Sequence, residues 1–337
     1  MPTDGVAPSI GSVPAGGSTV PLTGILCTAN GSTIELVENL LAMGEPLFQS
    51  FTDPRVTFFE LPTGHWPMLS MPEELATVLL RAAAGEGHRI EARRPPHLNP
   101  FLFEVSERER ERSGAVDFYL PDASEPRPAV VFVHGGPVPP NARPTPRDWP
   151  VFTGYGRHVA ALGAVGVTVD HRLHALTDYP RAAQDLVDAV EHVRSHPQVD
   201  GDRIALWFFS GGGLLSAPWL VEPPTWLRCV AGSYPVLAPF PNWDGIDPGF
   251  RPVEAVRGAG RLPIVLIRPE LDYPESLAAI DEFLASASAA GVHPEVIDVP
   301  GARHAFETID HTDPAREAVR RGVGKVLGHV EAGHEVG

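Results

Sequence analysis

Residues 204–213 have the sequence Ile204-Ala205-Leu206-Trp207-Phe208-Phe209-Ser210-Gly211-Gly212-Gly213, an apolar run that ends abruptly at one serine and three glycines. The next residues, Leu214-Leu215-Ser216-Ala217, predict the start of a helix. A serine between a buried strand and a helix, with small residues after it, is typical of a nucleophile elbow. Such a turn pushes the hydroxyl out of the sheet edge, and the helix N-terminus beneath it favours developing negative charge. We therefore interpret Ser210 as a candidate nucleophile.

One position departs from the usual G-x-S-x-G pattern of such turns. Gly212 matches the second glycine, but Phe208 occupies the place of the first, which normally lets strand and helix approach closely. The stretch is also compatible with a glycine-rich strand-to-helix turn that contains an incidental serine. The rest of the chain must decide between these two interpretations.

The composition is that of an ordinary globular protein with an acidic balance. Hydrophobic residues make up 43% and charged residues 20% of the 337 residues, enough for a large core in one domain with or without an addition. The net charge of −16 argues against a nucleic acid or an anionic membrane as partner. The two cysteines, Cys27 and Cys229, are expected to be buried reduced thiols. No zinc-ligand spacing is present, so we expect no metal.

The N-terminus predicts neither export nor membrane insertion. Residues 1–23 are rich in proline, glycine and serine, and we expect a flexible tail there. No basic region followed by an apolar stretch precedes a cleavage site, so we expect no signal peptide. No apolar run is long enough to span a bilayer. A cytoplasmic location is the default expectation.

The main body, residues 96–337, alternates strands and helices. We predict strands at 101–108, 114–120, 128–133, 166–170, 203–209, 227–232, 264–267 and 295–299, the first two as an antiparallel pair. We predict helices at 152–162, 179–196, 275–289 and 314–330. This alternation indicates an α/β fold with a mostly parallel central sheet and helices on both faces, and ligands in such sheets bind at the carboxyl ends of the strands.

Three of these strand ends carry groups that could act with Ser210 in nucleophilic catalysis. A carboxylate, Asp272, follows a late core strand, and an imidazole, His304, follows the last strand. The third end, after an early strand, is His134-Gly135-Gly136, which offers backbone amides. A base must activate a serine hydroxyl, histidine serves near neutral pH, and a carboxylate fixes the histidine tautomer. The oxyanion formed on acyl transfer needs backbone donors, for which Gly211 and one of Gly135 or Gly136 are candidates.

Other polar residues near these positions have simpler interpretations. Glu270 lies on the same loop as Asp272 and is the alternative acid, or a solvated loop charge. His171 and His174 have no carboxylate or cysteine cluster near them in the sequence, so packing or hydrogen bonding is favoured over metal binding.

Residues 101–330 resemble an α/β-hydrolase, closest to the dienelactone-hydrolase and esterase/lipase branches. The resemblance is carried by His134-Gly135-Gly136, Asp170-His171-Arg172-Leu173, Ser210-Gly211-Gly212, Leu271-Asp272 and Gly301-Ala302-Arg303-His304-Ala305-Phe306. The chain order serine, aspartate, histidine is the order of that superfamily. The resemblance implies a serine hydrolase without a cofactor, acting on an ester of a small molecule, and implies that His134 holds the oxyanion loop. Dienelactone hydrolases proper use cysteine, so Ser210 favours an esterase.

Two loops are expected to overhang Ser210 and select the substrate. They span residues 137–149, rich in proline, and 234–260, which carries Phe240 and Trp243. These aromatic residues and Phe209 are candidate substrate contacts, and the alternative is that they fill the core.

Residues 24–95 form a separate segment whose predicted elements repeat those at the end of the main body. They predict strand, helix, strand, Gly-His and helix, the order also predicted for residues 263–330, and His65 follows Gly24 by 41 residues as His304 follows Pro263. We interpret the segment as a fragment resembling the C-terminal tail of another α/β-hydrolase. Because so few elements bury little surface alone, we expect it to dock on the main body or to form a homodimer through a second copy. His65 is not expected to be a second catalytic base.

Three functions are compatible with the sequence. A serine esterase with an acyl-enzyme intermediate is favoured by the motifs above. A peptidase or amidase on the same fold would need a site for the substrate amine, and no residue pattern indicates one. A binding protein that has lost turnover is motivated by Phe208 and by the N-terminal fragment.

Overall fold

A computed structural model describes residues 20–42, 46–91 and 94–332 of the chain. They belong to two compact units, Met1–Pro96 and His97–Gly337. Most of the predicted flexible tail, residues 1–23, lies outside the described residues.

The smaller unit is built on two parallel strands. It contains β1 (Leu22–Cys27), α1 (Ile34–Ala42), a 3₁₀ helix (Pro46–Thr52), β2 (Val56–Leu61), α2 (Pro67–Ser70) and α3 (Pro72–Ala83). Strand β2 pairs with β1 and buries alternate side chains on opposite sides, because successive residues of a strand point to opposite faces. Phe58 packs with residues of α1, whereas Phe59 packs with Val78 of α3. The two helices therefore cover opposite faces of the pair.

The larger unit contains an eight-stranded sheet and six α-helices among the described residues. The strands are β3 (Arg110–Ser113), β4 (Val116–Tyr119), β5 (Arg127–Val133), β6 (Val165–Val169), β7 (Val199–Phe209), β8 (Leu227–Ser233), β9 (Ile264–Leu271) and β10 (Glu295–Arg303). The helices are α4 (Pro150–Ala161), α5 (Tyr179–Arg194), α6 (Ala217–Val221), α7 (Pro252–Ala255), α8 (Pro274–Ala289) and α9 (Asp313–Glu331).

The strand order is β10-β9-β8-β7-β5-β6-β4-β3. Strands β5 to β10 are paired in parallel, and β4 is antiparallel to both β3 and β6. After β6 the chain crosses back over β5 to form β7. This reversal places the carboxyl ends of β5 and β7 at the topological switch point, where ligands of open α/β sheets bind.

The core lies in two layers, one on each face of the sheet. In β7, Leu206 and Phe208 face the layer that contains α5 and α8. Trp207 and Phe209 face the layer that contains α4 and α9. A strand that is buried on both faces reads as a continuous apolar run, which explains the sequence of residues 204–209.

The structure corrects the predicted position of the first strand. Residues 101–108 are not a strand, and the antiparallel partner of β4 is Arg110–Ser113. The apolar run Phe101, Leu102, Phe103 resembles a strand in the sequence, but these side chains pack in the core beside α4: the ring of Phe101 lies 4.9 Å from that of Phe103 and 5.2 Å from that of Tyr155. A short apolar run does not by itself distinguish a strand from other buried segments.

The segment after Ser210 also differs from the prediction. A 3₁₀ helix spans Ser210–Ser216, and the α-helix begins at Ala217 rather than at Leu214. Pro218 lies in the first turn of that α-helix, where proline is favoured because its missing N–H would have no partner. Among helices of the described ranges, none combines the length and the apolarity needed to cross a bilayer.

Candidate active site

Ser210 lies on a sharp turn directly after β7. Its φ of 48° is in the left-handed region, which is uncommon for a residue other than glycine and costs roughly 1–3 kcal/mol. The backbone around it must hold this conformation. Tyr179, the first residue of α5, contributes by donating a hydrogen bond from its buried hydroxyl to the carbonyl oxygen of Gly211 at 2.9 Å. The structure therefore gives Ser210 the backbone of a nucleophile elbow.

The glycines after Ser210 are required by close backbone contacts. A Cβ atom added to Gly211 would lie 2.1 Å from the carbonyl oxygen of Gly136, and one added to Gly212 would lie 2.3 Å from that of His134. A Cβ on Gly213 would lie 2.5 Å from the carbonyl oxygen of Val236. No side chain fits at these distances, so the three glycines let the turn pack against the loop after β5 and the segment after β8.

Phe208 does not disrupt the turn. Its side chain is buried and belongs to the same core layer as Leu214 and Leu215, which follow the elbow. Across the sheet Phe208 pairs with Val133 of β5 and Gly232 of β8. Gly232 has no side chain, so it leaves room beside the ring of Phe208. An aromatic residue at the first-glycine position is therefore accommodated by core packing.

Asp272 and His304 are brought together by the register of β9 and β10. Leu271 pairs with Arg303, so the next residues of the two strands, Asp272 and His304, are neighbours. The strands predicted at 264–267 and 295–299 are longer in the structure, because both continue through a proline, Pro269 or Pro300. A register irregularity between Val299 and Arg303 allows this extension.

The three side chains form a continuous hydrogen-bonded chain. Ser210 Oγ lies 2.7 Å from Nε2 of His304, and Nδ1 of His304 lies 2.7 Å from Oδ1 of Asp272. A carboxylate only accepts, so Nδ1–H donates to Asp272 and Nε2 is left to accept from the serine hydroxyl. The side chain of Asp272 is fully buried and that of His304 is 15% exposed.

Glu270, the alternative acid, has a different partner. Its Oε2 accepts a hydrogen bond from the backbone N–H of Gly301 at 2.7 Å, and its side chain is exposed. Oδ1 of Asp272 also accepts from the N–H of Tyr273 at 2.7 Å. Asp272 is thus the carboxylate that is hydrogen-bonded to His304. Glu270 instead binds the backbone at Gly301, in the segment that leads to His304.

The predicted oxyanion glycines surround Ser210. A Cβ atom on Gly135 would lie 2.9 Å from Cβ of Ser210, so the backbone of Gly135 runs directly beside the serine. The neighbouring Gly136 contacts Gly211 through its carbonyl oxygen. Gly211 is the second residue of its 3₁₀ helix, and the first N–H groups of a helix lack partners within that helix. The arrangement places backbone groups of Gly135, Gly136 and Gly211 next to the candidate nucleophile.

Two buried histidines hold the loop of Gly135 and Gly136. The rings of His134 and His171 stack with centroids 3.7 Å apart, and Nε2–H of His171 donates to the carbonyl oxygen of His134 at 3.0 Å. Burial lowers the pKa of His134 to about 4 and lowers that of His171 well below its usual value. Both rings are therefore neutral near pH 7. The hydrogen bond of His171 is the kind of role that the sequence favours for this residue.

Sequence analysis missed two tyrosines that flank His304. The ring of Tyr234 lies 4.7 Å and that of Tyr273 lies 4.9 Å from the imidazole. Tyr234 is buried and has a φ of 39°, whereas Tyr273 is exposed. The adjacency of Tyr273 to Asp272 is visible in the sequence, but nothing there indicates that Tyr234 reaches His304.

The structure corrects one predicted substrate contact. The ring of Phe209 is 1% exposed and packs among Phe132, Phe152 and Tyr155, so its side chain offers no surface to a ligand. Phe240 and Trp243 are half-buried, with ring centroids 4.7 Å apart, and pack against the core. They stay candidates for a substrate contact.

A cavity of about 530 Å³ lies beside the loop that follows β5. His134, Val138 and His174 line it, together with Asp170 and Asp188, but Ser210 does not. The cavity is therefore next to the loop of Gly135 and Gly136, and the candidate nucleophile Ser210 does not line it.

His65 of the smaller unit has no comparable surroundings. Its side chain is exposed, and its ring contacts that of Trp66 with centroids 5.2 Å apart. If the proposed repeat aligns His65 with His304, Thr33 stands at the position of Asp272, so no carboxylate matches. The strand, helix and parallel strand of the repeat are present, but its resemblance to a hydrolase tail stays a prediction.

Comparison with known proteins identifies similar folds. A family model described as BD-FAE matches residues 116–219, which include the elbow and the loop after β5. A thermophilic esterase of Thermogutta terrifontis, Est2, is similar at 19% identity with a TM-score of 0.51, covering 69% of this chain and 95% of the esterase. A hyperthermophilic esterase of Pyrobaculum calidifontis is similar at 22% identity with a TM-score of 0.52, covering 64% and 82%.

The larger unit has the α/β-hydrolase fold. This confirms the predicted fold class, a central mostly parallel sheet flanked by helices. At these identities the similarity concerns the fold and not the substrate. A third structure, Thermogutta terrifontis esterase 2 phosphonylated by sarin, is similar at 20% identity with a TM-score of 0.50, covering 66% of this chain and 93% of that one. None of the curated proteins gave a match.

Proposed function

We propose that the chain is a serine hydrolase that cleaves carboxylic ester bonds of a small substrate through an acyl-enzyme intermediate. The observation that carries the proposal is the pair of 2.7 Å contacts that joins Ser210, His304 and Asp272 on a serine with left-handed backbone. A serine, a histidine and a buried carboxylate in this geometry are the requirements for nucleophilic acyl transfer.

In the first half of the proposed reaction, Oγ of Ser210 attacks the ester carbonyl while its proton passes to Nε2 of His304. Asp272, bonded to Nδ1, stabilises the imidazolium that forms. The carbonyl oxygen becomes an oxyanion, which backbone N–H groups of Gly211 and of Gly135 or Gly136 would stabilise. Collapse of the tetrahedral intermediate breaks the bond to the alcohol oxygen, which takes the proton from His304 as it leaves.

In the second half, water replaces the alcohol. Nε2 of His304 takes a proton from the water as it attacks the acyl carbon, and the second tetrahedral intermediate expels Ser210, which regains the proton. The acid product leaves and the starting state returns. Every proton in this cycle moves at Nε2 of His304, and no cofactor enters it.

Two further observations favour an active esterase over a binding protein that has lost turnover. That alternative depends on Phe208 and on the N-terminal fragment, and the buried position of the Phe208 ring leaves the elbow intact. The similar solved structures are esterases by name, and one of them carries a phosphonyl group from sarin. Within the fold, the motifs favour the dienelactone-hydrolase and esterase/lipase branches.

The test is labelling by a fluorophosphonate probe, followed by mass-spectrometric mapping of the modified residue. We expect one modification, on Ser210, and its loss in Ser210→Ala together with hydrolysis of short-chain p-nitrophenyl esters. Ser195→Ala, an exposed serine on another element, is the matched control and should behave as wild type. Labelling of a different serine, or none despite a folded protein, would refute the proposal. A series of acyl chain lengths then identifies the preferred ester.

A further inference from the structure

A buried carboxyl group lies behind His304 and is not used by the proposed reaction. Glu307 is 1% exposed, three residues after His304 in the chain. It belongs to a 3₁₀ turn, Phe306–Thr308, in which all three residues are buried. A carboxyl group is costly to bury, so its position calls for a role that a smaller or apolar residue would not fill.

Glu307 fixes this turn to the helix behind it. Oε1 accepts a hydrogen bond from the hydroxyl of Tyr155 in α4 at 2.9 Å, while Oε2 is buried and has no hydrogen-bond partner among the described residues. Tyr155 is itself fully buried among the rings of Phe132, Trp207 and Phe209. The carboxyl group thus joins the turn after His304 to a rigid part of the core.

The same turn meets the catalytic imidazole through Tyr234. The ring of Tyr234 packs on Phe306 of the turn at 5.9 Å and on His304 at 4.7 Å. Ala305, between His304 and Phe306, has a φ of 59°. A left-handed residue directly after His304 makes the direction of the imidazole sensitive to the position of the turn that follows.

We propose that Glu307 is a positioning residue for His304, which acts by fixing the turn Phe306–Thr308 and, through it, the ring of Tyr234. This inference rests on the proposed function, because it assigns Glu307 a part in catalysis through His304. A displacement of about 1 Å at a reacting group is enough to slow an enzyme about 10²-fold.

The groups that face Glu307 also give it a distinctive response to pH. Burial raises its pKa to about 7, and this effect is opposed by its own backbone N–H and then by the phenols of Tyr234 and Tyr155, which all favour the charged form. Burial raises the pKa of Tyr234 well above its usual value, and the charges of Glu307 and Asp272 raise it further. Glu307 therefore changes charge near neutral pH, behind the imidazole, whereas a glutamine in its place does not.

The experiment compares Glu307→Ala, Glu307→Gln and Tyr155→Phe with Glu317→Gln, an exposed carboxylate of α9, as the control. The readouts are kcat and KM for a p-nitrophenyl ester and the proton NMR signal of the Nδ1–H of His304. We expect Glu307→Ala to lower kcat by about 10²-fold with little change in KM, and to shift or broaden the imidazole signal. Tyr155→Phe should lower kcat by about fivefold, the equivalent of one hydrogen bond.

Glu307→Gln keeps an oxygen that accepts from Tyr155, so at pH 6 it should restore kcat to within about threefold of wild type. Between pH 6 and pH 8 the wild-type carboxyl ionises and the amide does not. The ratio of wild-type to variant rates should then rise by about threefold or more, because a negative charge favours the imidazolium of the transition state. A purely structural role would leave this ratio flat.

The inference is overturned if Glu307→Ala and Tyr155→Phe keep wild-type kcat and an unchanged imidazole signal, or if the Glu307→Gln ratio does not vary with pH. If Glu307→Ala fails to fold, the other two variants decide. The two proposals fail separately. A wild-type protein that no fluorophosphonate labels, but whose imidazole signal depends on Glu307, refutes the function and keeps the positioning role. Normal labelling with no dependence on Glu307 does the reverse.

Discussion

At the scale of single residues, the site combines groups that the sequence reveals with groups that it hides. Ser210, Asp272 and His304 could be predicted because each follows an apolar strand in a recognisable short pattern. The proximity of Tyr234 to His304 could not, because it depends on how the segment after β8 packs; Glu307 is close to His304 in the sequence, but its burial against Tyr155 depends on the packing of α4. The wrong prediction for Phe209 has the same origin: neighbouring residues of a strand point to opposite faces, and the sequence does not say which face lies towards the site.

The two carboxylates near His304 allow a direct comparison. Asp272→Asn should lower kcat by about 10⁴-fold, because an amide that donates to Nδ1 stabilises the wrong imidazole tautomer. Glu270→Gln keeps an oxygen for the N–H of Gly301 and should leave kcat within about twofold. Steady-state kinetics on a p-nitrophenyl ester measures both. A larger loss in Glu270→Gln than in Asp272→Asn would reverse the assignment of the acid.

At the scale of elements, the catalytic geometry depends on strand length and on close approach of the backbone. Sequence patterns predicted the order of strands and helices in most of the larger unit but ended two strands too early, at residues 267 and 299, whereas β9 and β10 continue to Leu271 and Arg303. Those few additional residues are what place Asp272 beside His304. Proline generally favours the end of a strand, but Pro269 pairs in register with Val299 and Pro300 lies at the register irregularity of β10.

The glycines of the elbow provide the prediction at this scale. Gly212→Ala brings a Cβ to 2.3 Å from the carbonyl oxygen of His134, so we expect a loss of about 1–3 kcal/mol in unfolding free energy and of most of the activity. Gly324→Ala is the matched control, because that glycine lies in α9 with open space around it. The control should gain up to about 1 kcal/mol from its helix propensity. Urea unfolding and ester hydrolysis measure both variants, and an active, stable Gly212→Ala would contradict the packing described here.

At the scale of the whole molecule, buried titratable groups act on stability in opposite directions. His134, with a pKa lowered from 6.5 to about 4, is neutral in the folded chain while its unfolded form takes up a proton. Its contribution is fully present above pH 6.5 and is lost as the pH falls towards 4. Glu307, with a pKa raised from 4.5 to about 7, contributes fully below pH 4.5 and loses that contribution as the pH rises through 7.

The contribution of His134 can be tested by measuring stability below neutral pH. When the pH falls from 7.5 to 4.5, His134 takes up a proton in the unfolded chain but largely stays neutral in the folded one. At about 1.4 kcal/mol per pKa unit, this difference should lower the unfolding free energy of the wild type by roughly 2–3 kcal/mol. His134→Gln cannot take up this proton, so its unfolding free energy should fall less over the same range. Urea titrations at the two pH values measure the difference. Parallel losses in the two proteins would show that His134 does not limit acid stability.

The described non-glycine residues with left-handed backbone are Ser210, Tyr234 and Ala305, and all three belong to a cluster at the proposed active site: Ser210 itself, Ala305 beside His304 in the chain, and Tyr234 in ring contact with His304. Strained conformations of this kind survive only where their surroundings impose them. Selection for heat resistance alone would therefore tend to relax the very residues that shape the reaction centre, by exchanging them for glycine or by loosening their neighbours. Substitutions intended to raise thermal stability should therefore be made far from this cluster, because those made inside it would lower the turnover rate.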